Sequence, residues 1–85
     1  MYRMHYVYLI QSTRHPWNYI GSCSDLKKRF LEHCNSRVRS TKYYAPFTLL
    51  YYEAYQDKTL ARKREIELKT NNSSKETLYQ RLGIM

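Results

Sequence analysis

Five side chains of this chain have the types needed to act together on one bond: the phenols of Tyr8 and Tyr19, the guanidinium of Arg29, the imidazole of His33 and the carboxylate of Glu65. Hydrolysis of a phosphodiester needs an in-line nucleophile, stabilisation of the charge that builds on the non-bridging oxygens, and help for the departing 3′ oxygen. Arg29, planar and always charged, suits a scissile phosphate. Glu65 is a hard oxygen ligand able to hold one Mg²⁺ or Mn²⁺ whose remaining positions go to water and phosphate oxygen. Tyr8 is the expected acceptor of the proton from water, directly or through a neighbour, and Tyr19 is the competing choice. A free phenol has a pKa of about 10 and is a poor base at neutral pH. The role therefore needs a cation such as Arg29, a metal-bound water or His33 close by, and His33 could orient the water or share its proton.

Short apolar runs carry the tyrosines. Tyr6 to Ile10 alternates, with Tyr6, Tyr8 and Ile10 on one face and Val7 and Leu9 on the other, and Trp17 to Gly21 follows after a polar stretch containing Pro16. The spacing predicts a hairpin of strands over about 5–11 and 17–22, with Tyr8 and Tyr19 side by side and Gly21 allowing close backbone approach. Ser24 is expected to cap a helix from Asp25 to about Asn35, with Leu26, Arg29, Phe30 and His33 on one face. Thr48 to Tyr55 reads as a third strand, and Asp57 or Thr59 starts a helix reaching about Thr70. Glu65 there shares a stripe with Ala61 and Leu68, a costly place for a charge without compensation. Ser73 and Glu76 form a candidate capping box for a last helix that Gly83 stops. These elements predict an α/β domain, a small three-stranded, largely antiparallel sheet flanked by helices in the order β-β-α-β-α-α, with residues 1–85 as one domain.

Lysine and arginine number 15 against 7 acids in 85 residues, for a net charge of +8. Such an excess on a small domain favours a polyanionic partner, with nucleic acid the leading candidate. The stretch from Asn35 to Phe47 contains Arg37, Arg39, Lys42 and Tyr43 and no acid. It suits phosphate contacts and stacking of bases or sugars, although a solvated basic loop has the same composition. Arg62 and Lys63 could add phosphate contacts. Cys23 and Cys34 lack paired-ligand spacing and are expected to be free thiols of a reducing compartment. No apolar run of about 18 residues exists and the first residues lack a secretory signal, so a cytoplasmic protein without membrane contact is expected.

Taken singly, each candidate has a plainer role: the tyrosines as sheet aromatics, Arg29 and His33 as a solvated helix face, Glu65 as the helix-surface partner of Lys69. Their joint order changes the reading. Tyr6-Val7-Tyr8, Tyr19-Ile20-Gly21, Arg29, His33 and Glu65 resemble the motif series of the GIY-YIG nuclease family, across nearly the whole chain and most nearly in its small stand-alone bacterial members. Tyr6 stands where the family name has glycine, as in those small members. Ser22 stands where the incision subunit of bacterial nucleotide excision repair carries a lysine, so that residue's role does not transfer.

The resemblance implies one divalent metal held by Glu65 and a phosphate held by Arg29, in an endonuclease acting on DNA, with RNA left open by phosphate contacts. With no room for a recognition domain, low sequence specificity and a preference for branched or distorted DNA in repair or recombination are expected. The competing reading is a nucleic-acid-binding module without appreciable nuclease activity, which the basic charge and the 35–47 loop would serve without the five candidates.

Overall fold

The computed structural model describes residues 4–84. β1 (His5–Ser12) and β2 (Asn18–Cys23) form the hairpin, followed by α1 (Leu26–Cys34), a single 3₁₀ turn at Lys42–Tyr44, β3 (Phe47–Tyr55), α2 (Lys58–Thr70) and α3 (Asn72–Leu82). The sheet is fully antiparallel with spatial order β2-β1-β3. The sequence-based order of elements and the sheet type agree with this.

β1 is the central strand, and Val7 to Ile10 are at most 2% exposed. Such continuous burial requires both faces of the sheet to be covered. Alternation then sorts the side chains into two cores. Val7, Leu9 and Ile20 pack with Ala61, Leu68 and Leu78 of α2 and α3 on one face. Tyr8 and Ile10 pack with Phe47, Trp17, Tyr19, Leu26 and Phe30 on the α1 face. A bulge on the β1–β3 ladder between Leu9 and Ile10 shifts the register of the outer strand.

The helix caps differ from the expectation at two points. Asp25, not Ser24, caps α1, its carboxylate accepting from Lys28 N at 3.1 Å. Either side chain could cap, and the choice follows from the helix starting at Leu26, which puts Asp25 one residue before it. Asn71 closes α2 with its backbone N–H and opens α3 with its side chain, accepting from Ser74 N at 3.1 Å, so the Ser73–Glu76 box is not the cap. Gly83 ends α3 in the left-handed region at φ 72°, where glycine is favoured. Cys23 and Cys34 are both free. Among the described residues no helix is long and apolar enough to cross a membrane.

Candidate active site

Gly21 sits opposite Tyr8 in the β1–β2 register. A Cβ there would collide with the Tyr8 hydroxyl, stand 2.6 Å from Tyr8 Cζ and 3.0 Å from Tyr19 Cε2. The absent side chain is what lets the Tyr8 ring lie down across β2. Tyr19, two residues along the same face, follows at 6.4 Å between ring centroids. Glycine is needed at this position for space, not for an unusual backbone angle.

α1 lowers His33 onto this pair. The imidazole is fully buried, with its ring 5.6 Å from Tyr8, 5.3 Å from Tyr19 and 5.9 Å from Phe47. Its Nε2 lies 2.8 Å from Tyr8 Oη and its Nδ1 2.7 Å from Thr41 Oγ1. Burial, aided by the nearby Arg29 charge, pushes the imidazole pKa down to about 4, so His33 is neutral at neutral pH. Burial also raises the Tyr8 phenol well above its ordinary value, while the adjacent Arg29 guanidinium opposes the rise. Arg29 lies one turn before His33 and bonds Glu32 at 3.3 Å, with 41% of its side chain exposed. It keeps donors available to an incoming anion.

Glu65 approaches from the other face. Its Oε1 accepts from Ser22 Oγ at 2.6 Å and its Oε2 from Lys69 Nζ at 2.8 Å. Burial raises the carboxyl pKa, but Lys69 and Ser22 outweigh it and hold Glu65 below the usual carboxylate range. The charge on the apolar stripe thus has its compensation. Ser22 directly follows Gly21, and Lys69 Nζ lies 5.4 Å from the Tyr19 ring centroid. Because β2 is an edge strand, these contacts join Glu65, on the α2 side, to the phenols on the α1 side around one sheet edge.

The basic candidates divide. Arg37 and Arg39 line one shallow groove with Arg29, which ties the 35–47 loop to the phosphate-binding candidate. Lys42 and Tyr43 are exposed on the 3₁₀ turn. Tyr43 stacks on His15 at 5.6 Å, and Trp17 stacks on Tyr44 at 4.0 Å. Arg62 lies 4.0 Å from Glu65 and lines a cleft with Ser22, Lys58 and His5. Lys63 is exposed and makes no ion pair among the described residues. Arg64, its neighbour, is committed elsewhere, to Glu53 at 3.0 Å and Glu67 at 2.9 Å.

Sequence reasoning missed Ser22 as the anchor of Glu65, Thr41 as the partner of His33, and the His15 and Trp17 rings as stacking surfaces. Only Trp17, two residues before Tyr19 and stacked on it at 6.0 Å, stands at a strand spacing from a candidate. Among the described residues no three His, Cys, Asp or Glu side chains converge, so a zinc cage or an all-protein calcium site does not fit. One ionised carboxylate does fit a hard divalent cation that keeps most of its ligands as water and substrate phosphate.

Residues 4–80 match the family model described as the GIY-YIG catalytic domain. A UPF0213 protein of Staphylococcus saprophyticus is 35% identical over 72 residues, covering 84% of this chain and 87% of its own length. Another, from Halobacterium salinarum, is 31% identical and matches over 100% of its length and 89% of this chain. The solution NMR structure of a UPF0213 protein from Bacillus halodurans superposes with a TM-score of 0.57, at 24% identity, covering 94% of this chain and 87% of that one. That last likeness is one of fold.

Proposed function

The chain belongs to the GIY-YIG family of nuclease domains, and on that premise we propose that it is a metal-dependent DNA endonuclease. The observation that carries the proposal is the joining of Tyr8, His33, Arg29 and an ionised Glu65 around the β2 edge, through Gly21, Ser22 and Lys69.

In this reading the Arg29 guanidinium binds the scissile phosphate and the charge that develops on it. Tyr8 takes the proton of the attacking water as the new P–O bond forms, with His33 sharing the proton through the 2.8 Å bond. Tyr8 is favoured over Tyr19 because it is the phenol bonded to a neutral imidazole. Glu65 would hold one Mg²⁺ or Mn²⁺, which when bound supplies Lewis-acid stabilisation beside the departing 3′ oxygen. Lys69 must release Oε2 for that to happen. The groove bearing Arg29, Arg37 and Arg39 would track the phosphate backbone, with Lys42, Arg62 and Lys63 adding charge.

The substrate reading is branched, flapped or otherwise distorted DNA, cut with little sequence preference; RNA shares the phosphate chemistry. Exposed Tyr43 stacked on His15 is a surface for an unpaired base, which plain duplex does not offer. Incubating end-labelled single-stranded, duplex, flap and four-way-junction DNA with Mg²⁺ or Mn²⁺, with and without chelator, tests both points. Metal-dependent cuts concentrated at branch points are expected. Equal cleavage of duplex and junction removes the structural preference, and cleavage unaffected by chelator removes the metal.

One observation favours a second reading, a nucleic-acid-binding module: both Glu65 oxygens are engaged by Ser22 and Lys69. Salt-sensitive binding of all four DNAs without cleavage of any would select it.

A further inference from the structure

His33 is fully buried between a phenol and a hydroxyl, and a neutral imidazole can hold its single proton on either nitrogen. The two arrangements differ in what they do with the buried hydrogens. With the proton on Nε2, His33 donates to Tyr8 Oη and accepts from Thr41, and the Tyr8 hydrogen has no acceptor among the described residues. With the proton on Nδ1, the hydroxyl of Tyr8 donates to Nε2, Nδ1 donates to Thr41 Oγ1, and Thr41 passes its own hydrogen to Val38 O, a long bond at 3.5 Å. Only the second arrangement gives every hydrogen of the chain an acceptor.

We propose that Thr41 is a positioning residue that fixes His33 in its Nδ1–H tautomer, leaving Nε2 to receive the Tyr8 proton as Tyr8 takes one from water. The proposal rests on the nuclease reading for its catalytic meaning, and on geometry alone for the tautomer. The step balances: the water O–H breaks and its oxygen bonds to phosphorus as the P–O3′ bond breaks, its hydrogen passes to Tyr8 Oη and the former Tyr8 hydrogen to His33 Nε2. The imidazolium keeps its Nδ1–H on Thr41 and later returns the gained proton to solvent, from which the departing 3′ oxyanion takes one.

The Thr41 hydroxyl makes no cap bond to the 3₁₀ turn that it precedes. The residue is 0% exposed on a loop whose charged members Arg37, Arg39 and Lys42 are all at the surface. Its N–H and that of Lys42 both close onto Val38 O, at 3.0 and 2.8 Å, and Val38 is itself buried. The turn that presents the basic side chains outward is thereby the turn that aims one hydroxyl inward at His33. Tyr8, Tyr19, Arg29 and Glu32 are the other titratable groups around the imidazole, and none of them has a hydrogen bond to Nδ1.

The test is ¹⁵N NMR of the histidine side chains in the full chain, beside cleavage assays of Thr41→Val and Thr41→Ser. The expected result is an Nδ1–H tautomer at His33 in the native protein and in Thr41→Ser. Thr41→Val should show a mixed tautomer population and cleavage lower by about 10- to 100-fold, the range for losing a partner that orients a functional imidazole. An Nε2–H tautomer in the native protein overturns the proposal even if Thr41→Val cannot fold. Full activity in a folded Thr41→Val also overturns it. If the native tautomer is Nδ1–H but neither the native protein nor either variant cuts any DNA, the hydrogen-bond chain stands and the nuclease reading falls.

Discussion

Two regions of this molecule are built from the same side chains and differ in what they leave open. On one, Tyr51, Tyr55, Glu53 and Arg64 form a closed set in which both phenols donate to Glu53, at 2.7 and 2.5 Å, and Arg64 caps the carboxylate with three bonds of 3.0 to 3.1 Å. On the other, Tyr8, Tyr19, Arg29 and Glu65 share the β2 edge, but the phenol pairs with an imidazole and the guanidinium stays two-fifths exposed. The first set neutralises itself. In the proposed mechanism the second offers a cation to an anion, a neutral imidazole to a proton and an ionised carboxylate to a metal. Residue type is thus a weak guide to chemistry, and unspent hydrogen-bonding capacity is a better one.

The sharpest way to break the contrast is to remove the two arginines separately. Arg29→Ala should lower cleavage by roughly 10²- to 10³-fold, as for loss of one donor to transition-state charge, with stability changed by less than about 1 kcal/mol. Arg64→Ala should do the reverse, destabilising by about 1–3 kcal/mol by stripping a half-buried carboxylate of its partner, with cleavage unchanged in the folded fraction. Denaturant titration beside cleavage rates decides it; equal effects on both readouts for both variants would erase the distinction.

A second handle is acid. His33 is depressed from its ordinary 6.5 to about 4, so between those values the unfolded chain binds more protons than the folded one. Its contribution is whole above about pH 6.5 and is lost as pH falls toward 4, by on the order of 3 kcal/mol at most. Glu53 and Glu65, both held below an ordinary 4.5, give up theirs only below that value. Urea midpoints measured from pH 7 to 5 should therefore fall in the native protein and stay nearly flat in His33→Gln; an equal slope in both would show that His33 is not depressed.

Gly21→Ala probes the seat of Tyr8. The added methyl meets the phenol directly, and overpacking of this kind costs about 1–3 kcal/mol. Activity should fall further than stability, because the ring must tilt away from His33. Thermal unfolding that leaves Gly21→Ala as stable and active as the native protein would deny the close packing. The smallest effect is expected at Arg37, Arg39 and Lys42, where single changes to Gln should leave stability untouched and reduce the salt slope of DNA binding by about one counterion each.

Much of this was legible from the chain. The alternation of Tyr6 to Ile10 carries both core faces of β1, and the i, i+4 spacing of Arg29 and His33 carries their shared face on α1. What was illegible is non-local. Arg62 and Arg64 look interchangeable in sequence, and only Glu53 on β3, 3.0 Å from Arg64, separates the tightly held one from Arg62, which is 61% exposed and 4.0 Å from Glu65. Thr41 is a polar loop residue with no periodic signal, and only the packing of its loop against α1 brings it to His33. Asn71 serves two helices at once because α3 begins one residue after it, a junction that spacing rules divide into separate caps.

Glu65 is proposed to be required for the chemistry and dispensable for the fold. Cleavage of four-way-junction DNA in Mg²⁺ by the native protein and by Glu65→Gln, at matched folding and with DNA affinity measured in parallel, addresses it directly. The variant is expected to lose cleavage by at least about 10²-fold while keeping its fold and its affinity. Equal cleavage by both proteins, or equal binding with cleavage by neither, would contradict it.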